Sequence, residues 1–138
     1  MPTRISSPDL AARGNGFERF WTERHLCTYT TVRPDGTAHV VPVGVTVDLE
    51  AGVARVICSR GSRKARFARD GGHNGVAVAV CQVEGRRWST LEGRAVLRDD
   101  ADSVADAEAR YARRYRTPRV NPERVVLEIA VTRVLGNV

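Results

Sequence analysis

Val56-Ile57-Cys58-Ser59-Arg60-Gly61-Ser62-Arg63-Lys64-Ala65 joins an apolar strand to a Gly-Ser turn and then to the opening of a helix. Such a turn aims free backbone N–H groups and the positive end of a helix at one point, where an anion can sit. Lys64 is the only lysine of the chain; the other 21 of its 22 cationic side chains are arginines. An ammonium on a flexible stem, two residues past the turn, is a suitable phosphate partner. The competing reading makes Lys64 one more solvated cation on a basic helix, and spacing alone leaves both open.

Outward from this stretch the pattern is that of a sheet protein with short connections. Upstream, Val53–Ser59 reads as a strand, and Leu49–Gly52 turns the chain back from Thr37–Asp48, a long and almost uninterrupted run of valines. Pro42 inside that run donates no ladder hydrogen bond, so it belongs at an edge or a bulge. Arg33-Pro34-Asp35-Gly36 is a tight turn that connects Leu26–Val32, a further strand. Before it, a helix starting at Ser7-Pro8-Asp9 and running to about His25 puts Leu10, Phe17, Phe20 and Trp21 on one face.

Downstream, Ser62–Arg69 has helical spacing and Gly71-Gly72 stops it. Gly75–Val83 and Arg86–Arg98 are strands around the Glu84-Gly85 turn. Asp99–Arg114 is a helix, acidic in its first turn and rich in arginine in its last. Thr117-Pro118 and Asn121-Pro122 make a rigid connector to a last strand, Glu123–Leu135. Six strands with short hairpins and three segregated helices predict a mainly β fold, a closed or split barrel rather than a doubly wound sheet.

Composition narrows the partners. The 138 residues make one domain by length, with a net charge of +6. Its cations alternate with acids instead of forming a basic block with interleaved aromatics, so an anionic small ligand is the better reading and no nucleic acid is expected. Cys27, Cys58 and Cys81 are odd in number and lack a CxxC pair, which argues against disulfides or zinc. No signal-peptide core or membrane-length apolar run occurs, and the chain reads as cytoplasmic. His25, His39 and His73 lie far apart without metal spacing, and no GxSxG elbow is present. No catalytic side chain and no metal site are therefore expected; any redox chemistry falls to a cofactor.

The run Val56–Ala65 resembles the phosphate-binding strand and turn of the pyridoxamine 5′-phosphate oxidase-like split barrels, which bind a flavin or deazaflavin at a dimer interface. The wider pattern consists of His39-Val40-Val41-Pro42-Val43-Gly44, Gln82-Val83, Arg87-Trp88 with Leu91-Glu92-Gly93-Arg94-Ala95, and Arg110–Arg119 with Asn121-Pro122. It is similar to the actinobacterial flavin/deazaflavin oxidoreductases over roughly residues 16–136.

The resemblance implies a six-stranded antiparallel split β-barrel, homodimeric, over 16–138, after a flexible N-terminal segment 1–15. It implies coenzyme F-420, with FMN as the alternative. Ser62, Arg63 and Lys64 would hold the phosphate; Val41, Pro42 and Val43 would line the ring; Ile57 and Cys58 would border it. Gln82, Arg87 and Trp88 would close the site, from the second subunit. The implied activity is hydride transfer from reduced deazaflavin to a conjugated acceptor, a linear tetrapyrrole such as biliverdin. The alternatives are an FMN-dependent enzyme and a non-enzymatic flavin or haem-pigment binder. Val40–Val43 lacks the arginine that pyridoxamine phosphate oxidases place there, and no C-terminal substrate arm follows Val138. Both departures favour the deazaflavin. Arg113, Arg114, Arg116 and Arg119 read as a solvated helix end that could also meet an acidic cofactor tail.

Overall fold

The computed structural model describes residues 8–138. The first seven positions of the expected N-terminal segment, including the Ser7 helix start, lie outside the described residues. From Leu10 the chain makes one 3-10 turn (Ala11–Arg13), breaks at Gly14 (φ 94°), and enters α1 (Asn15–Thr22). The expected single helix is thus divided at a glycine whose positive φ an L side chain would resist. The apolar face holds regardless: Leu10, Phe17, Phe20 and Trp21 are all at most 1% exposed. Burying each such side chain contributes roughly 1.5–3 kcal/mol. The Trp21 indole also finds a polar partner, donating to the Ser89 hydroxyl at 3.1 Å.

Seven strands follow: β1 (Cys27–Val32), β2 (Ala38–Val43), β3 (Thr46–Asp48), β4 (Val53–Ser59), β5 (Val76–Glu84), β6 (Arg87–Arg98) and β7 (Arg124–Gly136). Helix α2 (Arg63–Asp70) lies between β4 and β5, and α3 (Ala101–Arg114) between β6 and β7. All pairings are antiparallel, in the order β2-β1-β5-β6-β7-β4-β3. The edge strands β2 and β3 are consecutive in the chain. Only Gly44 and Val45 separate them, a link that spans at most about 11 Å. Edges of a flat sheet of this width would stand about 29 Å apart. The sheet must therefore roll until its edges approach. The alternating positions Cys27, Tyr29 and Thr31 of β1, Val78, Val80 and Gln82 of β5, and Ala54 and Val56 of β4 are buried inside it. Among the described residues no helix is long and apolar enough to cross a membrane.

The count of six strands is corrected to seven because Thr37–Asp48 is two strands. At the break, Val45 takes its hydrogen bonds from α3 instead of a ladder. Its N–H donates to the Tyr115 hydroxyl at 3.0 Å, and its carbonyl accepts from Arg114 Nη1 at 2.6 Å. Beside it the Tyr111 and Tyr115 rings pack so closely on Gly44 that a Cβ there would lie 2.8 Å from one and 3.0 Å from the other. A run of valines shows a strand's propensity but not the helix that interrupts it.

Candidate functional site

The turn after β4 is built locally. Ser62 takes an extended conformation as the N-cap of α2, and its hydroxyl accepts from the Ala65 N–H at 3.3 Å. Its own N–H closes the turn on the Ser59 carbonyl at 3.0 Å. The other first-turn amides of a helix have no intrahelical acceptor, so Arg63 and Lys64 present theirs at the helix's positive end.

A cleft of about 400 Å³ opens over this turn. One wall is apolar: Pro42, Val43 and Gly44 at the end of β2, with Ile57 and Cys58 of β4 and the Tyr111 ring of α3. The lining also carries Lys64, Arg116, Arg119 and Arg124, and no carboxylate lines the cleft. The connector after α3 is pinned over the turn by two contacts. Asn121 Nδ2 donates to the Ser59 hydroxyl at 2.9 Å, and Arg124 Nη2 donates to the Arg119 carbonyl at 3.0 Å. Arg124 Nε is buried and has no hydrogen-bond partner, and its Nη1 reaches Glu108 at only 3.4 Å. A buried donor left open is costly, of the order of 1–3 kcal/mol.

Of the expected site residues, Pro42, Val43, Ile57, Cys58, Ser62 and Lys64 line this one cleft. Val41 turns its side chain to the core beside it, and Arg63 is exposed at the turn. The Cys58 thiol is pushed above its ordinary pKa by burial, against the Ser62 hydrogen bond and the Lys64 and Arg124 charges, and stays a thiol at neutral pH. His39, farther along β2, stands edge-on to Phe67 at 5.7 Å. Burial, and then the charges of Arg33, Arg63 and Lys64, lower its pKa.

Three expected residues lie elsewhere. Gln82 is 1% exposed, and both ends of its amide are engaged inside the protein. Nε2 donates to the Phe20 carbonyl at 2.8 Å; Oε1 accepts from Arg114 Nη2 at 2.6 Å and from the Cys27 thiol at 3.4 Å. One Nε2 N–H remains undonated, on a side chain that is almost wholly buried. Arg87 pairs with Glu84 at 2.8 Å and lies over the Phe20 ring. Trp88 is 39% exposed at the start of β6, away from this cleft.

The reading of 113–119 as a solvated helix end also changes. Arg114 is only 8% exposed, and its Nε donates to the Glu23 carbonyl at 3.0 Å. Arg116 and Arg119 line the cleft, whereas Arg113 faces another pocket. Gly44, Tyr111 and Arg124 were not anticipated as site residues. The i, i+4 spacing of Tyr111 and Tyr115 is the signal that could have found the first two, since such a pair forms one ridge and needs a small residue opposite. All three cysteines are free, and among the described residues no cluster of His, Cys, Asp and Glu could hold a metal.

The architecture is mainly β: one antiparallel sheet of seven strands with three helices, and a cleft over the β4–α2 turn. The chain belongs to the pyridoxamine 5′-phosphate oxidase family, whose profile matches residues 16–137. It is 50% identical over 135 residues to a protein of Mycobacterium tuberculosis that bears the name F-420H2-dependent biliverdin reductase, covering 98% of this chain and 90% of the relative. An F-420 reductase of known structure superposes with a TM-score of 0.65 at 23% identity, over 88% of this chain and 98% of its own. A conserved hypothetical protein from M. tuberculosis gives 0.74 at 19% identity, over 97% and 89%. The two structural likenesses carry the fold.

Proposed function

We propose that this chain is an oxidoreductase that binds coenzyme F-420 in the cleft over the β4–α2 turn and reduces biliverdin to bilirubin. The observation that carries it is the cleft itself: four cations and no carboxylate line it together with the apolar Pro42, Val43 and Ile57. The name of the half-identical relative supplies the cofactor and the substrate. The residues fit the group. A phosphate needs donors and positive charge, which Ser62, Lys64 and the first amides of α2 offer. A flat conjugated ring needs an apolar wall without competing donors, and Pro42 contributes no N–H to the edge strand β2.

When bound, reduced F-420 supplies the hydride. The chain's own residues bind and orient: Lys64 and Ser62 fix one end, and Pro42, Val43 and Ile57 fix the plane of the ring. Arg116 and Arg119 attract the propionates of the acceptor or the acidic cofactor tail. No imidazole or carboxylate lines the cleft, and guanidinium groups keep their protons at all relevant pH values. The protons at hand are those of solvent water and of the Lys64 ammonium, the Tyr111 hydroxyl and the Cys58 thiol, all of which line the cleft.

The rolled sheet is read here as the family's split barrel over 16–138, and the functional unit as a homodimer. Exposed Leu26, Val40, Val83 and Trp88 support a second copy. In the dimer, Arg87 and Trp88 would complete the partner's cleft. Sedimentation should then give about twice the 15.2 kDa chain mass; a monomer at micromolar concentration would remove the shared site. Mixing the protein anaerobically with reduced F-420 and biliverdin should bleach the biliverdin band as bilirubin forms. Absence of turnover defeats the assignment, and tightly bound FMN in the purified protein would favour the flavin alternative.

A further inference from the structure

A second pocket, of about 280 Å³, opens between α1, β3 and α3. It shares no lining residue with the cofactor cleft. Helix α3 separates the two, presenting Tyr111 to the cleft and Arg110, Arg113 and Arg114 to this pocket. Val47 supplies an apolar side, and the edge of Trp21, a ring 1% exposed, lines the pocket beside it.

The charges here do not balance. Arg110 is neutralised by Asp106 at 2.9 Å and Asp48 at 3.4 Å. Arg114 is 8% exposed, yet its hydrogen bonds go to neutral acceptors, the carbonyls of Glu23 and Val45 and the amide of Gln82. Arg113 is in no ion pair among the described residues. A guanidinium cannot shed its proton to escape burial, and a buried charge without a counter-ion is expensive. Three of the five N–H groups of Arg114 are donated within the protein, which leaves two. Its guanidinium stands 5.8 Å from the Trp21 ring centre, so charge and apolar surface meet at the same spot.

We propose that this pocket binds a small organic carboxylate with an aryl or branched alkyl body, separately from the cofactor cleft. The carboxylate pairs with Arg113 and Arg114, and the body packs on Val47 next to the edge of Trp21. The volume admits a molecule of benzoate size and excludes a dinucleotide or a tetrapyrrole. The site needs no cofactor, so its test is independent of the proposed activity.

The chain has two tryptophans, and Trp88→Phe leaves Trp21 as the sole reporter. The full-length variant is titrated at constant ionic strength with benzoate, with neutral benzamide and with inorganic phosphate. Benzoate should change Trp21 emission saturably. Benzamide and phosphate should bind at least about tenfold more weakly, as should benzoate to the same chain carrying Arg113→Gln. Arg113 is exposed, so that change leaves the fold intact, which a matching thermal melt checks. No saturable response to benzoate, an equal response to benzamide or to phosphate, or indifference to Arg113→Gln would each overturn the proposal.

Discussion

Arg114→Ala should lower the stability of this protein by about 3–5 kcal/mol, a large share of the total for a domain of this size. The side chain is a three-way clamp. Its Nε holds the Glu23 carbonyl after α1, its Nη1 holds the Val45 carbonyl at the β2–β3 break, and its Nη2 holds Gln82 on β5. Removing it leaves the buried Val45 carbonyl and Gln82 amide oxygen with only the longer Tyr115 and Cys27 contacts, a loss of roughly 1–3 kcal/mol each. Its stacking on Trp21 and Tyr115 is lost as well. Thermal denaturation should show a midpoint lower by roughly 10 °C or more. Arg114→Lys should recover only part of this, since one ammonium cannot span three acceptors on a planar fork. Arg113→Ala, one residue earlier and exposed, should stay within about 0.5 kcal/mol of the parent. If Arg114→Ala melts like Arg113→Ala, the clamp is not what joins the helices to the sheet.

That clamp also marks where sequence reading stops. Strand and helix periods were visible because each is written in neighbouring residues: Phe17, Phe20 and Trp21 share a face and are all buried. The inward placement of Gln82 was equally available, since it has the parity of Val78 and Val80 in β5. A family role in closing the site outweighed that parity. Arg114 lies seven residues, two turns, after the buried Ala107, so its inward direction was written as well. Nothing local, however, says that an arginine there meets Val45, 69 residues away, or that this contact ends a strand. The break at Gly44-Val45 follows from tertiary competition for one residue's hydrogen bonds, and propensity carries no trace of it. The cleft over the β4–α2 turn was more legible because its core is a contiguous strand, turn and helix. The parts delivered by α3 and its connector, Tyr111, Arg116, Arg119 and Arg124, were visible as cations and a ring but not as one wall.

Lys64→Ala should weaken F-420 binding by about 1–3 kcal/mol, or about 5- to 150-fold in Kd, with little change in the melting temperature of the free protein. Two observations separate these effects. Lys64 takes part in no ion pair among the described residues, so the fold loses no partner. It is also the lining cation set in the first turn of α2, beside the Ser62 cap. In the proposed site the helix end and the ammonium would act on one phosphate, so the loss should exceed that of Arg119→Ala, a cation on the connector. Lys64→Arg should restore the charge without the full affinity, because a planar fork fills a point-charge site poorly. Raising salt should weaken the parent more steeply than Lys64→Ala, since one screened attraction is already gone from the variant. Fluorescence titration of the cofactor against each variant gives all of these numbers. Equal affinity of parent and Lys64→Ala at low salt would mean that the phosphate lies elsewhere, and the ring wall of Pro42 and Val43 would then lose its anchor.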